Sequence, residues 1–244
     1  MRKVQWMPWW WTAGGGAALA LLTVSLSLPP VAWAAGGGHL VISSLLLTVG
    51  LRRHRAVRLG PANAVTATRS AMVGPATALA VAGWTGTASA PLFVVICTCA
   101  LILDAVDGHV ARRTGSESAL GARFDMEVDA FLLLVLCVYD ARIVGGWVLT
   151  IGLMRYAFVA AGRAMPWLRR PLPPRYWRKV VTAVCGIVLT LVAARILPEA
   201  AAIALVAAAL ALLVESFGRD VVWLARMNRI DRALVYPESE QGVR

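Results

Sequence analysis

The sequence predicts an all-α integral membrane protein, and three observations carry that reading. The 244 residues are 59% hydrophobic and only 15% charged, more apolar sequence than a soluble domain of this size buries. Eight stretches approach the ~20 apolar residues that a helix rising about 1.5 Å per residue needs to cross the hydrocarbon. The net charge of +11 gathers in arginines between and beside those stretches, where charge bias sets topology. On a soluble chain that charge would point to nucleic acid; here no nucleic-acid partner is expected.

The first stretch covers residues 12 to 33. It follows Met1, Arg2 and Lys3, and Ala32-Trp33-Ala34 fits a signal-peptide cleavage site. The tryptophans at 6 and 9 to 11 suit an interfacial belt and favour an uncleaved span. The second stretch covers 37 to 51. Triple glycines at 14 to 16 and 36 to 38 lack the Lys and Ser/Thr of a phosphate loop and read as close-packing or turn residues. Residues 1–58, without one acidic residue, form a hydrophobic extension of one or two spans that looks like an appendage.

Leu59-Gly60-Pro61-Ala62-Asn63 breaks helical continuity before a helix from about Ala64. The remaining stretches cover 68 to 84, 90 to 111, 121 to 139, 145 to 163, 180 to 197 and 199 to 222, so residues 59–226 form a six-helix membrane domain. With Arg52, Arg53, Arg55 and Arg58 in the cytosol, the loops alternate: Thr85 to Ser89 is uncharged, and Arg112 and Arg113 lie inside. Arg142 lies outside, and the loop with Arg163, Arg169, Arg170, Arg175, Arg178 and Lys179 lies inside. The polar residues 227–244 cannot build a core and are expected to be a flexible cytosolic tail. The four cysteines, Cys97, Cys99, Cys137 and Cys185, show no disulfide or zinc spacing and read as packing residues.

The chemistry concentrates between Asp104 and Asp129. Asp104, Asp107, Gly108 and Ala111 are spaced i, i+3, i+4 and i+7 and share one helix face; Gly121, Asp125 and Asp129 step by four and share another. A turn at Arg113 to Ser118 would join the two helices as an antiparallel hairpin and bring both faces into one anionic pocket. Each ionised aspartate at membrane depth costs ~2.5 to 3.5 kcal/mol, so four uncompensated ones would cost ~10 kcal/mol or more. Whole domains have only about 5 to 15 kcal/mol of stability. The cluster therefore requires counterions, and Mg²⁺ commonly couples a few carboxylates to substrate phosphates. Two such ions would stabilise the attacking and leaving oxygens of an in-line displacement, while a spare carboxylate takes a proton from a hydroxyl. Glu127 and the lone His109 lie off the aspartate face. Glu127 reads as a partner for a neighbouring arginine.

Asp104-x-x-Asp107-Gly108-x-x-Ala111-Arg112, then Gly121-x-x-x-Asp125-x-x-x-Asp129, resembles the signature of the CDP-alcohol phosphotransferases at every fixed position. The resemblance covers about residues 60 to 225 and implies that family's six-helix transmembrane core, with one or two extra N-terminal spans in this chain. It implies Asp104, Asp107, Asp125 and Asp129 as ligands of Mg²⁺ or Mn²⁺, two ions in all, with Asp129 also the general base. Gly108, Ala111, Arg112 and Gly121 would line the nucleotide and diphosphate site. The implied reaction is attack of an alcohol on the donor phosphorus with release of CMP, in phospholipid synthesis. A homodimer is implied too. The expected location is a bacterial cell membrane, with the site facing the cytosol.

Shorter similarities point to phosphatidylglycerophosphate synthase-like members. Asn63, Thr66 and Arg69 resemble their Asn-x-x-Thr-x-x-Arg segment, and Arg155 and Arg163 match an arginine pair eight residues apart. Lys179 and Thr182 resemble Lys-x-x-Thr-x-x-Gln, with Cys185 in place of the Gln; Tyr156 replaces a usual Glu. Arg155, Arg163, Arg178 and Lys179 are thus the candidate acceptor-binding residues, able to hold a phosphate through charge-assisted hydrogen bonds. Arg155 is the strongest, because it lies deep in a span where an unpaired charge is costly. CDP-diacylglycerol is the expected donor, another CDP-alcohol the alternative, and glycerol 3-phosphate, an inositol phosphate, phosphatidylglycerol or another alcohol the acceptor. A cation transporter using the same carboxylates is the rival of another class, and the absence of an internal repeat counts against it.

Overall fold

The structure, a computed structural model, describes residues 6–53, 61–114, 119–173 and 175–235. All regular structure among them is helical: α1 (Met7–Leu26), α2 (Pro30–Arg53), α3 (Pro61–Ala82), α4 (Ala90–Thr114), α5 (Ala119–Val144), α6 (Leu149–Ala164), α7 (Tyr176–Ala193) and α8 (Glu199–Val235), with short 3₁₀ turns between some of them. The expected all-α membrane fold is found. Among the described residues, α2, α7 and the Glu199–Asp231 part of α8 meet strict length and apolarity limits for a span, and Ala90–Val106 is a shorter apolar helix.

Prolines account for the boundaries that differ from expectation between α1 and α3. The first helix stops at Leu26, with Ser27 in the left-handed region at φ 51°, instead of running on to residue 33. Pro29 and Pro30 disfavour helix in the residues before them, and Pro30 instead opens α2 at the position where a missing N–H costs nothing. Pro61 likewise opens α3 three residues before Ala64. At the other end of the chain α8 continues past Met227 as far as Val235, within the stretch expected to be a flexible tail, whose remaining residues 236–244 lie outside the described residues. Its 37 residues span about 55 Å at 1.5 Å per residue, well beyond the bilayer core, and Arg170 Nη1 ties the far end through Asp231 Oδ2 at 2.6 Å.

Helices α3 and α5 form the centre. The first packs against α1, α2, α4 and α5; the second against α3, α6, α7 and α8. Val73, Leu79, Phe93, Leu136, Cys185 and Leu189 are completely buried between them. Cys97, Cys137 and Cys185 are free, buried thiols, as packing residues should be. Cys99 departs from that expectation: it lies exposed on α4, two residues and therefore about half a turn from Cys97.

Candidate active site

Two neighbouring helices bring three carboxylates together. Asp104 lies on α4, Asp125 and Asp129 one turn apart on α5, and one oxygen from each falls within 4.8 Å of the others. The residue at their centre comes from α3. Arg69 Nη1 lies 2.9 Å from Asp104 Oδ1 and 2.6 Å from Asp125 Oδ1, and Nη2 donates to Asp129 Oδ1. The guanidinium is fully buried, whereas the three carboxylates keep 42%, 35% and 28% of their side-chain surface. The arginine therefore closes the inner side of the cluster and the acids open outward.

A charge buried as deeply as Arg69 is stable only when paired, and three acids on one guanidinium provide that pairing. They also leave a net negative site. A hard divalent cation takes carboxylate oxygens, so convergence of three half-exposed carboxylates fits such an ion, with Asp104, Asp125 and Asp129 as the residues that would hold it. Asp107, Gly108, Ala111 and Arg112 follow on the last turns of α4. Their side chains lie outside the described residues, as does the centre of the expected turn, 115–118. Gly121 is buried on α5, one turn before Asp125.

Sequence reasoning placed Arg69 only in a family-like segment and missed it as the partner of the aspartates. A signal was present. Asn63, Thr66 and Arg69 recur every three residues, which gives an otherwise apolar helix one polar face, and all three are buried. A lone arginine inside a span demands an acidic partner.

The candidate acceptor residues are distributed differently. Arg155, on α6, reaches back to α5, where Nη2 donates to Glu127 Oε1 at 2.5 Å; this is the arginine partner expected for Glu127, which itself lies two residues from both Asp125 and Asp129 in sequence. Arg178 donates to Asp220 Oδ2 at 3.3 Å and to the Pro173 carbonyl at 2.6 Å. Arg175 Nη1 lies 3.8 Å from Asp220 as well. Arg163 and Lys179 are exposed, at the end of α6 and the start of α7.

Helical membrane architecture and three carboxylates converging on a buried arginine define a class: an integral membrane protein with a site suited to a hard divalent cation. The particular family follows from comparison. The model of the CDP-alcohol phosphatidyltransferases matches residues 60–215, and the chain belongs to that family. Its members are membrane transferases of phosphate-containing groups that use CDP-alcohol donors and alcohol acceptors, and they generally depend on divalent metals. No curated protein and no solved structure matches the chain. The family match begins with α3 and includes the acidic cluster and Arg69; α1 and α2 precede it.

Proposed function

We propose that this protein transfers a phosphatidyl group from CDP-diacylglycerol to the hydroxyl of a small acceptor, glycerol 3-phosphate first among the alternatives, and releases CMP. The observation that carries the reading is the convergence of Asp104, Asp125 and Asp129 within the residues matched to the family. Asp104, Asp107, Asp125 and Asp129 hold divalent cation, Mg²⁺ or Mn²⁺, which when bound neutralises the diphosphate and the charge developing on the leaving group. Gly108, Ala111, Arg112 and Gly121 line the nucleotide and diphosphate site.

The protein's own groups then have separate tasks. Arg69 keeps the three carboxylates in mutual register and offsets part of their charge. Asp129 accepts the acceptor's hydroxyl proton as its oxygen bonds to the donor phosphorus, and the bond from that phosphorus to CMP breaks. Arg155, with Arg163, Arg178 and Lys179, binds the acceptor's phosphate; Glu127 orients Arg155. The donor's acyl chains stay in the bilayer, so that only the headgroup enters the site. The site faces the cytosol of a bacterial cell membrane, consistent with the density of arginine in the α6–α7 loop.

The test is CMP release by purified full-length protein given CDP-diacylglycerol, Mg²⁺ or Mn²⁺ and a panel of acceptors. Release with glycerol 3-phosphate alone supports the reading in full; release with an inositol phosphate or phosphatidylglycerol keeps the chemistry and changes the acceptor. Metal transport into vesicles without any CMP release would support the transporter alternative instead.

A further inference from the structure

The helices that precede the family match hold the helix that carries Arg69. Pro75 lies inside α3 and lacks the N–H that would bond the Ala71 carbonyl, which leaves the helix weaker at this turn. Here α1 and α2 come closest. A Cβ built on Gly15 would lie 2.8 Å from the Ala71 carbonyl oxygen, and one on Gly36 would lie 2.7 Å from that of Gly74. Only glycines permit such backbone approach.

The two neighbours of Arg69 are held directly. Trp11 Nε1 donates to Thr68 Oγ1 at 3.0 Å. His39 Nε2 lies 3.2 Å from the Ser70 carbonyl oxygen and 3.5 Å from Ser70 Oγ. Because a carbonyl can only accept, the ring nitrogen donates in that contact. The same imidazole stacks on Phe131 of α5, ring centroids 4.5 Å apart and planes at 19°. Phe131 is two residues from Asp129, so one ring contacts a sequence neighbour of the arginine and packs on the helix that carries the aspartate it binds.

We propose that α1 and α2 are part of the active-site support and that His39 is a positioning residue, setting Arg69 against Asp129 through its hydrogen bond to Ser70. The inference rests on the reading of the acidic cluster as a metal site. His39 itself touches no reacting group. Removing its contact should let Arg69 shift, which weakens the competition between its positive charge and a bound cation and loosens the geometry needed for turnover.

The test compares wild type, His39→Ala, His39→Gln, Arg69→Ala and the double variant His39→Ala with Arg69→Ala in the full-length, detergent-purified protein, reading Mn²⁺ affinity by electron paramagnetic resonance without substrate and CMP release with substrate. Arg69→Ala is expected to tighten Mn²⁺ binding. His39→Ala should shift affinity in the same direction by threefold or more and lower kcat about tenfold, with donor KM little changed. His39→Gln, whose amide also donates to the Ser70 carbonyl, should return both to within about twofold of wild type. The double variant should bind Mn²⁺ like Arg69→Ala alone, since His39 acts through that residue.

A His39→Ala protein with wild-type Mn²⁺ affinity, a glutamine variant as impaired as alanine, or additive effects in the double variant would each overturn the proposal. If Arg69→Ala does not fold, the alanine and glutamine variants of His39 still decide it. If no variant or wild type releases CMP, the proposed reaction fails while the Mn²⁺ series continues to test His39.

Discussion

The two ends of α5 carry aspartates in opposite circumstances. Near its start, Asp125 and Asp129 are about one-third exposed and share the buried Arg69 with Asp104. Eleven residues later, about 16 Å along the helix at 1.5 Å per residue, Asp140 is completely buried, and neither of its carboxylate oxygens has a hydrogen-bond partner among the described residues. Arg142 lies one half-turn on, but it donates to the Gly83 and Tyr139 carbonyls and stacks over the Tyr139 ring at 4.2 Å. The same residue type on one helix is thus left open and paired at one end and sealed at the other. What separates a site capable of chemistry from a buried acid is access for a ligand together with convergent partners.

Substitutions at each end sharpen that contrast, and the largest effect belongs to Asp129. Asn at this position keeps the shape and removes the base, so CMP release should fall by ~10²-fold or more while the protein elutes and melts as wild type. Normal turnover in this variant would remove Asp129 from the chemistry. Arg69→Lys comes next. A lysine ammonium cannot fork to three carboxylates as a guanidinium does, and the expected loss in kcat is roughly ten- to a hundredfold, measured in the same assay; an unaltered kcat would mean that the ion pairs are dispensable.

A smaller and more selective effect is expected at Arg155. Its replacement by Ala should raise the KM for a phosphorylated acceptor severalfold to about tenfold, in keeping with a lost charge-assisted contact, and leave the donor KM within about twofold. Equal changes in both would point to a structural role. The smallest effect on turnover is assigned to Asp140→Asn, with CMP release within about twofold of wild type. Because a buried, unpartnered carboxylate is costly, thermal unfolding of this variant should occur at the same temperature or a few degrees higher. A marked fall would reveal a partner for Asp140 that stabilises it.

Much of the fold was legible because helix length and apolar run length are one signal in a membrane. The eight stretches correspond to α1 through α8, and the errors at the joins of α1 with α2 and before α3 fall at prolines 29, 30 and 61, where a local backbone rule overrides hydropathy. The end of α5 was harder. A span ending at residue 139 left Asp140 and Arg142 to a loop, although the helix runs to Val144 and both belong to the packed interior. Hydropathy averages conceal a single acid that has been buried.

The site was legible to the extent that it is local. Asp104, Asp125 and Asp129 were singled out by helical spacing and by the cost of charge in the bilayer, and they do converge. Arg69 lies 35 residues before the first of them and was not joined to them, because nothing local to α3 says which acid an arginine meets. The contact between His39 and Ser70 is harder still to read from sequence: it needs the close approach of α2 to α3 that Gly36 and Gly74 allow. The extension that looked like an appendage packs on the helix supplying the central cation of the site.

The most direct measurement sets Asp129→Asn beside Asp140→Asn in one CMP-release assay with CDP-diacylglycerol, divalent metal and the best acceptor from the panel. The account predicts that the first variant loses ~10²-fold or more of its CMP release and the second turns over like wild type, both remaining folded. Activity retained at residue 129, or lost at residue 140 in a folded protein, would contradict the assignment of catalysis to the cluster around Arg69.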